Sequence, residues 1–161
     1  MTAKFTVLGN TTLATSSASV TFSSIPGGYK DLVLVTTCDM SSAERFKGTI
    51  NSDTGTNYSY VSMIGNGSTA TSGSYATDDG IRFQNSDVTN LGDNVNTAEF
   101  FDYSSTTKHK SILIRDSTSN GSVSALAVRW ASTAAITSIS LSPQGAVTFT
   151  SGSTFRLLGV N

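Results

Sequence analysis

Hydrophobic and polar residues alternate along most of this chain. Val20 and Phe22, for example, are separated and flanked by Ser19, Thr21 and Ser23. A period of two residues is typical of a β-strand with one buried face. The alternation predicts eleven strands, near residues 3–8, 18–25, 31–38, 45–51, 57–64, 80–85, 96–103, 110–115, 122–131, 135–142 and 153–160.

Clusters of Gly, Asn, Asp and Ser separate the predicted strands, as turn geometry requires. No stretch has the apolar spacing of an amphipathic helix. At most one helical turn is expected near residues 38–46, with Ser41 or Ser42 as its N-cap. Two longer polar segments, 65–79 and 85–96, are expected to be loops, and loops of this size are often functional or mobile.

This series of short strands and turns predicts an all-β fold, an antiparallel β-sandwich of jelly-roll-like type. The absence of predicted helices excludes a parallel α/β fold. A length of 161 residues suits one domain, so residues 1–161 are expected to form a single sandwich. Residues 1–10, MTAKFTVLGN, are expected to form an N-terminal arm or an edge strand.

Several predicted strands are apolar on both faces. In DLVLVTT, Leu32 and Leu34 point to one side, and Val33 and Val35 point to the other; SILIR and SALAVRW show the same pattern. The outer face of an isolated sandwich should be polar. We therefore expect a cover over the second face, either a loop of the same chain or, as we favour, another subunit.

Composition narrows the classes of partner. Hydrophobic residues make up 37% of the chain and charged residues 13%, yet eight Phe, five Tyr and one Trp supply an ordinary core. Ten basic and eleven acidic residues give a net charge of -1, which predicts no nucleic-acid surface. TTKHK, which ends in Lys108 to Lys110, is expected to be a solvated loop end. No apolar stretch suits a membrane span and no hydrophobic signal region opens the chain, so neither a membrane nor export by a signal peptide is expected.

No catalytic motif is present, and we expect no enzyme and no cofactor. His109 is the single histidine, and without a G-x-S-x-G stretch it is expected to be a surface residue. Carboxylate pairs of the kind that hydrolyse glycosides could be formed by Asp78 with Asp79 or by Glu99 with Asp102. We expect Asp78 and Asp79 to lie in a turn and Glu99 to point outwards.

Other candidate ligands are few. Asn51, Asp53, Gly55 and Asn57 stand at the alternating positions that calcium loops use, but one carboxylate is too few for tight binding. We expect a turn there and no metal site. Cys38 is the single cysteine, which excludes an internal disulfide, and we expect it to be buried.

Four aromatic residues could stack on sugar rings. These are Trp130, Tyr58, Tyr60 and Tyr75. Trp130 lies in a long apolar strand and is expected in the core or an interface, whereas Tyr75 lies in a polar segment and is expected to be exposed.

The order of motifs resembles a known module. ASVTFSSIPGGYKDLVLV, INSDTGTNYSYVSMIGNGS, FFDYSSTTKHKSILIRDSTSNGS, RWASTAAITSISL and SGSTFRLLGV follow one another, as in a β-rich module of structural proteins of tailed phages, notably cyanophages and other marine phages. The resemblance covers nearly the whole chain. The chain departs from the pattern by one alanine in RWASTAAITSISL and by Leu158, where an aromatic is common.

The resemblance implies a structural role in a virion. Length and the absence of a shaft favour a capsid decoration or cement protein that binds the phage major capsid protein, with its location on the capsid surface after synthesis in the host cytoplasm. The alternatives are a tail or tail-fibre accessory that binds a host-surface glycan and a cellular carbohydrate-binding module. Three-fold association is common in the resembling proteins, so we expect a trimer.

Overall fold

The computed structural model describes residues 4–84, 94–118 and 121–161, and these residues form twelve strands and no helix. The strands are β1 (Phe5–Thr12), β2 (Val20–Phe22), β3 (Asp31–Cys38), β4 (Phe46–Ile50), β5 (Tyr58–Gly65), β6 (Ala70–Asp78), β7 (Ile81–Arg82), β8 (Asn94–Phe101), β9 (Lys110–Ser117), β10 (Val123–Trp130), β11 (Ile139–Pro143) and β12 (Thr154–Val160).

The strands form two antiparallel sheets. One has eight strands in the order β1-β12-β3-β8-β9-β10-β5-β6, and the other has four in the order β2-β11-β4-β7. The predicted antiparallel β-sandwich is therefore confirmed. Strand β1 lies at one edge of the larger sheet, as expected for an edge strand in this part of the chain, and β6 lies at the other edge.

The core lies between the two sheets and is rich in aromatic side chains. Phe46 of β4 stacks on Phe83 with ring centroids 5.0 Å apart and meets Phe149 edge-on at 5.6 Å. Phe149 in turn meets Phe155 of β12 at 4.9 Å. This chain of rings joins the small sheet to the large one, and each ring is at most 1% exposed.

The expected loop at residues 65–79 is wrong for most of its length. Strand β6 occupies Ala70–Asp78 and pairs with β5, with Ser74 opposite Val61. A tight turn connects the two strands: Gly67 has φ of +83°, and Oδ1 of Asn66 accepts the backbone N–H of Thr69 at 2.8 Å. Most of β6 is exposed, so its pairing depends on backbone hydrogen bonds and gives no hydrophobic period.

The helical turn expected at Ser41 or Ser42 is also wrong. Met40 forms an isolated bridge with Phe149, and its side chain is 2% exposed in the core. The backbone N–H of Ser41 donates to the carbonyl oxygen of Thr148 at 2.9 Å. Extended pairing buries Met40, which one helical turn would not do.

The second expected loop, residues 85–96, lies mostly outside the described residues. Residues 85–93 are not described, and Asn94–Asn96 belong to strand β8 and not to a loop.

Candidate functional site

The larger sheet exposes an apolar surface on the side that faces away from the small sheet. We call this surface the outer face. Each of its exposed large hydrophobic side chains is between 39% and 63% accessible; they are Phe5, Val7, Val61, Met63, Val95, Phe101, Leu113 and Val123. Alternation places these residues on the opposite side from the buried set in the same strands. The two-faced apolar strands predicted from the sequence are thus present, and no described segment covers their outer side.

The apolar residues form a row across the sheet. The registers align Val7, Leu158, Val33, Glu99, Leu113, Ala127 and Val61 on seven successive strands. Six of these seven are apolar. Residues directly opposite one another on neighbouring strands have Cβ atoms about 4.5–5.5 Å apart. The row is therefore an apolar surface interrupted at its middle by Glu99, and not a set of isolated exposed residues.

Shallow concavities follow the same face. One has a volume of about 600 Å³ and lies between Met63, Ala70 and Val123 at the β5–β6 side. Another, of about 210 Å³, lies between Phe5 and Val33 at the β1 side. Both are open surface depressions, which suits contact with another protein better than enclosure of a small molecule.

A few charged groups lie within the outer face. Arg115 donates from Nη2 to Oε1 of Glu99 at 2.7 Å near the centre of the sheet. Glu99 points outwards, as predicted. Asp31 lies toward the β1 side, where its Oδ1 accepts the backbone N–H of Asp102 at 2.9 Å. Arg129 lies toward the β6 side and forms no ion pair within the described part of the chain.

The carboxylates proposed as possible catalytic pairs are bound to cations. Asp78 and Asp79 are adjacent, but Asp78 accepts from Arg82 at 2.6 Å and Asp79 from Lys47 at 2.6 Å. The Lys47 ammonium lowers the pKa of Asp79. Both carboxylates are thus engaged in ion pairs, which suits a structural role better than general acid catalysis.

The second proposed pair, Glu99 with Asp102, is not brought together. Glu99 pairs with Arg115 on the outer face, while Asp102 accepts from Lys108 at 2.9 Å beyond the end of β8. The Lys108 ammonium lowers the pKa of Asp102. His109 is exposed in the same loop.

Asn51, Asp53, Gly55 and Asn57 form a hydrogen-bonded turn, as predicted. The Asp53 carboxylate accepts the Gly55 N–H at 2.9 Å, the Asn57 side-chain amide at 3.0 Å and the Trp130 indole N–H at 2.7 Å. The indole donor is the main cause that lowers the pKa of Asp53. These contacts use the carboxylate oxygens to tie the turn to the core.

Trp130 is buried and Tyr75 is exposed, as predicted. Trp130 is 2% exposed and stacks on Tyr58, with ring centroids 6.4 Å apart. Tyr75 is 49% exposed, although it lies in β6 and not in a loop. Its ring stacks on Tyr60 at 4.6 Å, and the Arg82 guanidinium lies 6.0 Å from the centre of the Tyr60 ring. Tyr75 is therefore the aromatic of the four that remains open to a ligand.

Lys110 does not lie in a solvated loop end as expected. It is the first residue of β9, points inwards and is 1% exposed. Its ammonium donates to the backbone oxygens of Ser105 at 2.7 Å, Lys108 at 2.8 Å and Thr133 at 3.3 Å. Burial lowers the pKa of Lys110. The three carbonyls satisfy its three donors, so the side chain fixes the loop before β9.

A polar row is buried inside the sandwich. Thr36, Asn96, Asp116 and Ser124 face inwards at directly opposite positions of β3, β8, β9 and β10. Both amide atoms of Asn96 have no hydrogen-bond partner among the described residues, and the Thr36 hydroxyl has only the Cys38 thiol beside it. Burial raises the pKa of Asp116 to about 6, although the Ser124 hydroxyl donates to its carboxylate. No sequence pattern indicated this row.

Two further findings concern ligands and membranes. Cys38 is 2% exposed, as predicted, and burial raises its pKa to about 12. Residues 4–84, 94–118 and 121–161 contain no group of three or more His, Cys, Asp or Glu side chains that could hold a metal ion. Within the same ranges, no helix has the length and apolar character needed to cross a membrane.

Comparison with known proteins gives few matches. No protein-family model matches the chain, and no curated protein matches it. Among solved structures, it is similar to the crystal structure of the Caenorhabditis elegans galectin LEC-6. The two are 14% identical, the match covers 94% of this chain and 95% of the galectin chain, and the TM-score is 0.42.

Proposed function

We propose that this chain is a non-enzymatic structural protein of a phage virion that stabilises the head as a capsid decoration or cement protein. The observation that carries the proposal is the broad apolar outer face, which the described residues leave exposed. Such a surface gains free energy when another protein covers it, which is the property an assembly protein needs. Its partners are further copies of the chain and the phage major capsid protein, on the outer surface of the capsid.

The sandwich offers a second contact element in β1. This strand pairs with β12 on one side only, so its other row of backbone groups is open to strand addition within the described chain. A preordered sandwich loses little conformational entropy when it docks. A protein that binds only the assembled lattice stabilises that lattice by mass action against the pressure of packaged DNA.

The experiment removes the protein from the particle. We expect heads that lack it to release DNA at a lower temperature, while adsorption to host cells stays normal. Supplying the wild-type chain in trans should restore the release temperature. Failed adsorption with unchanged head stability would contradict the decoration role and favour a tail or tail-fibre protein.

A second candidate function, binding of a host-surface glycan, is favoured by one observation. Tyr75 presents an exposed ring supported from behind by Tyr60, and Arg82 lies close to that pair. Aromatic faces of this kind can stack on the apolar face of a sugar. The test is adsorption of particles that carry Tyr75→Ala, with Tyr29→Ala, a partly buried tyrosine elsewhere, as the control. A loss of adsorption with Tyr75→Ala alone would favour the glycan function.

A further inference from the structure

We propose that the outer face binds the same face of a second copy of this chain, around a two-fold axis parallel to the strands that runs between β8 and β9. This proposal concerns the purified protein and does not depend on the virion role. The sheet order places four strands on each side of that line. The axis therefore brings β3 opposite β10 of the second copy and β12 opposite β5.

Apolar side chains meet one another in this arrangement. A rotation about an axis parallel to the strands preserves height along the strands, so each row of the sheet faces the same row of the second copy. Val33 then faces Ala127 of the second copy, and Leu158 faces its Val61. Pairing a larger with a smaller side chain suits two aligned sheets, which pack about 10 Å apart.

The charges of the face are complementary about the same axis. Asp31 and Arg129 lie in one row, on strands at equal distances from the axis. Each Asp31 therefore faces Arg129 of the second copy, and the symmetry gives this ion pair twice. Arg129 has no acidic partner in the described ranges of its own chain, whereas the central Glu99 is already paired with Arg115. Complementary charges of this kind select one orientation of docking.

Two charged residues face apolar ones. Glu99 lies opposite Leu113 of the second copy and keeps Arg115 of its own chain as its ion-pair partner. Arg156 lies opposite Met63 of the second copy and donates from Nε to Oδ1 of Asn10 at 3.2 Å within its own chain. The aliphatic stem of an arginine can cover a methionine while its guanidinium reaches the rim. The arrangement thus buries no unpaired charge near its centre.

The face is large enough for a stable dimer. Eight strands at about 4.8 Å spacing, each with seven to nine residues at about 3.3 Å, give a face of roughly 900 Å². Stable interfaces bury about 800 Å² on each partner. The outer face of one copy therefore supplies the area a specific dimer requires.

Charge exchange tests the arrangement directly. We expect the wild-type chain to sediment as a dimer at micromolar concentration. Asp31→Arg and Arg129→Asp, each alone, should weaken the dimer by about tenfold or more, because each places like charges opposite each other twice. The double variant, Asp31→Arg with Arg129→Asp, should restore the dimer because it exchanges the two signs.

A second variant distinguishes the face from the fold. Leu113→Asp should abolish the dimer while circular dichroism and thermal unfolding of the diluted monomer stay close to wild type, because Leu113 points outwards. Thr21→Asp places the same charge on an exposed position of the small sheet and should leave the dimer intact. A monomeric wild type, a trimer, or a double variant that fails to restore association would overturn the proposal.

Discussion

The two faces of β9 differ in a way that residue type alone would not predict. On the buried face, two isoleucines lie between two charged residues, Lys110 and Asp116. On the exposed face, Leu113 lies near the centre of the sheet with 39% of its surface accessible. The charged ends lie inside the sandwich and the leucine lies outside, so burial follows position in the two sheets and not hydrophobicity.

Lys110, Asp116 and Leu113 each lie on the face of β9 that their residue type would not predict, and each has different surroundings. Lys110 stays inside because three backbone carbonyls accept hydrogen bonds from its ammonium. Asp116 stays inside because burial raises its pKa, so that it holds its proton to a higher pH than an ordinary carboxyl group. Leu113 has no such local contact and stays 39% exposed. In the dimer that we propose, a second copy would cover it.

The largest expected effect is on the free energy of unfolding, and it distinguishes two neighbouring residues of β9. Ile114→Ala should reduce the free energy of unfolding by about 2–5 kcal/mol, because Ile114 is fully buried. Leu113→Ala removes a similar side chain from the outer face and should cost less than about 1 kcal/mol. Urea unfolding of both variants at one dilute concentration measures the difference, since association would add to stability. Equal losses would show that the outer face is covered within the chain.

The second effect concerns pH. Folding raises the pKa of Asp116 from its ordinary 3.8 to about 6, so the folded chain binds this proton more tightly than the unfolded chain. The stability that the protonated Asp116 carboxyl contributes is fully present below about pH 4 and is lost as the pH rises through about 6. Asp116→Asn should remove this dependence and gain on the order of 3 kcal/mol over wild type at pH 8.

Unfolding free energies of both proteins between pH 4 and pH 8 provide the measurement. The difference between the two profiles isolates Asp116 from carboxylates whose pKa is lowered, such as Asp53 and Asp79. A constant difference across this range would contradict the assignment.

The third effect distinguishes Lys110, the first residue of β9, from Lys108 in the loop before it. Lys110→Met should cost about 1–3 kcal/mol, because it removes the donors to three carbonyls of a buried region. Lys108→Met removes an exposed partner of Asp102 and should cause no measurable change. Thermal unfolding compares the two, and an equal response would place the Lys110 ammonium in solvent.

The smallest effect concerns a weakly partnered hydroxyl. Thr36 is fully buried, and among the described residues its side-chain oxygen has only the Cys38 thiol beside it. Thr36→Val keeps the shape and removes the weakly partnered group, so we expect a gain of at most about 1 kcal/mol. Thr37→Val, on the outer face of the same strand, is the control and should leave stability unchanged. Destabilisation by Thr36→Val would reveal a bound water or ion at that hydroxyl.

The sequence predicted the strands in which hydrophobic and polar residues alternate, and it missed β6, which lacks that alternation. Strand β3 was predicted with its observed limits, because Leu32 and Leu34 alternate with less buried residues. Strand β6 was missed because nearly all its side chains are exposed and it has no hydrophobic period. The signal that could have found it is Asn66-Gly67, a dipeptide typical of tight hairpin turns.

The candidate site was predicted in part. The apolar pattern indicated a second face, and the structure shows where that face lies. The pattern could not place Asp31 and Arg129 in one row, since that depends on strand order and register across the sheet. The burial of Lys110 and Asp116 was missed for the same reason, because their surroundings come from distant parts of the chain.

Cys38 gives the molecule an internal reporter of its own opening. It is the only cysteine of the chain and the last residue of β3, and burial raises its pKa to about 12. A thiol reagent at neutral pH can therefore modify it only during excursions in which the end of β3 separates from its neighbours. The rate of modification at increasing protein concentration reports how strongly self-association suppresses those excursions, without any added label.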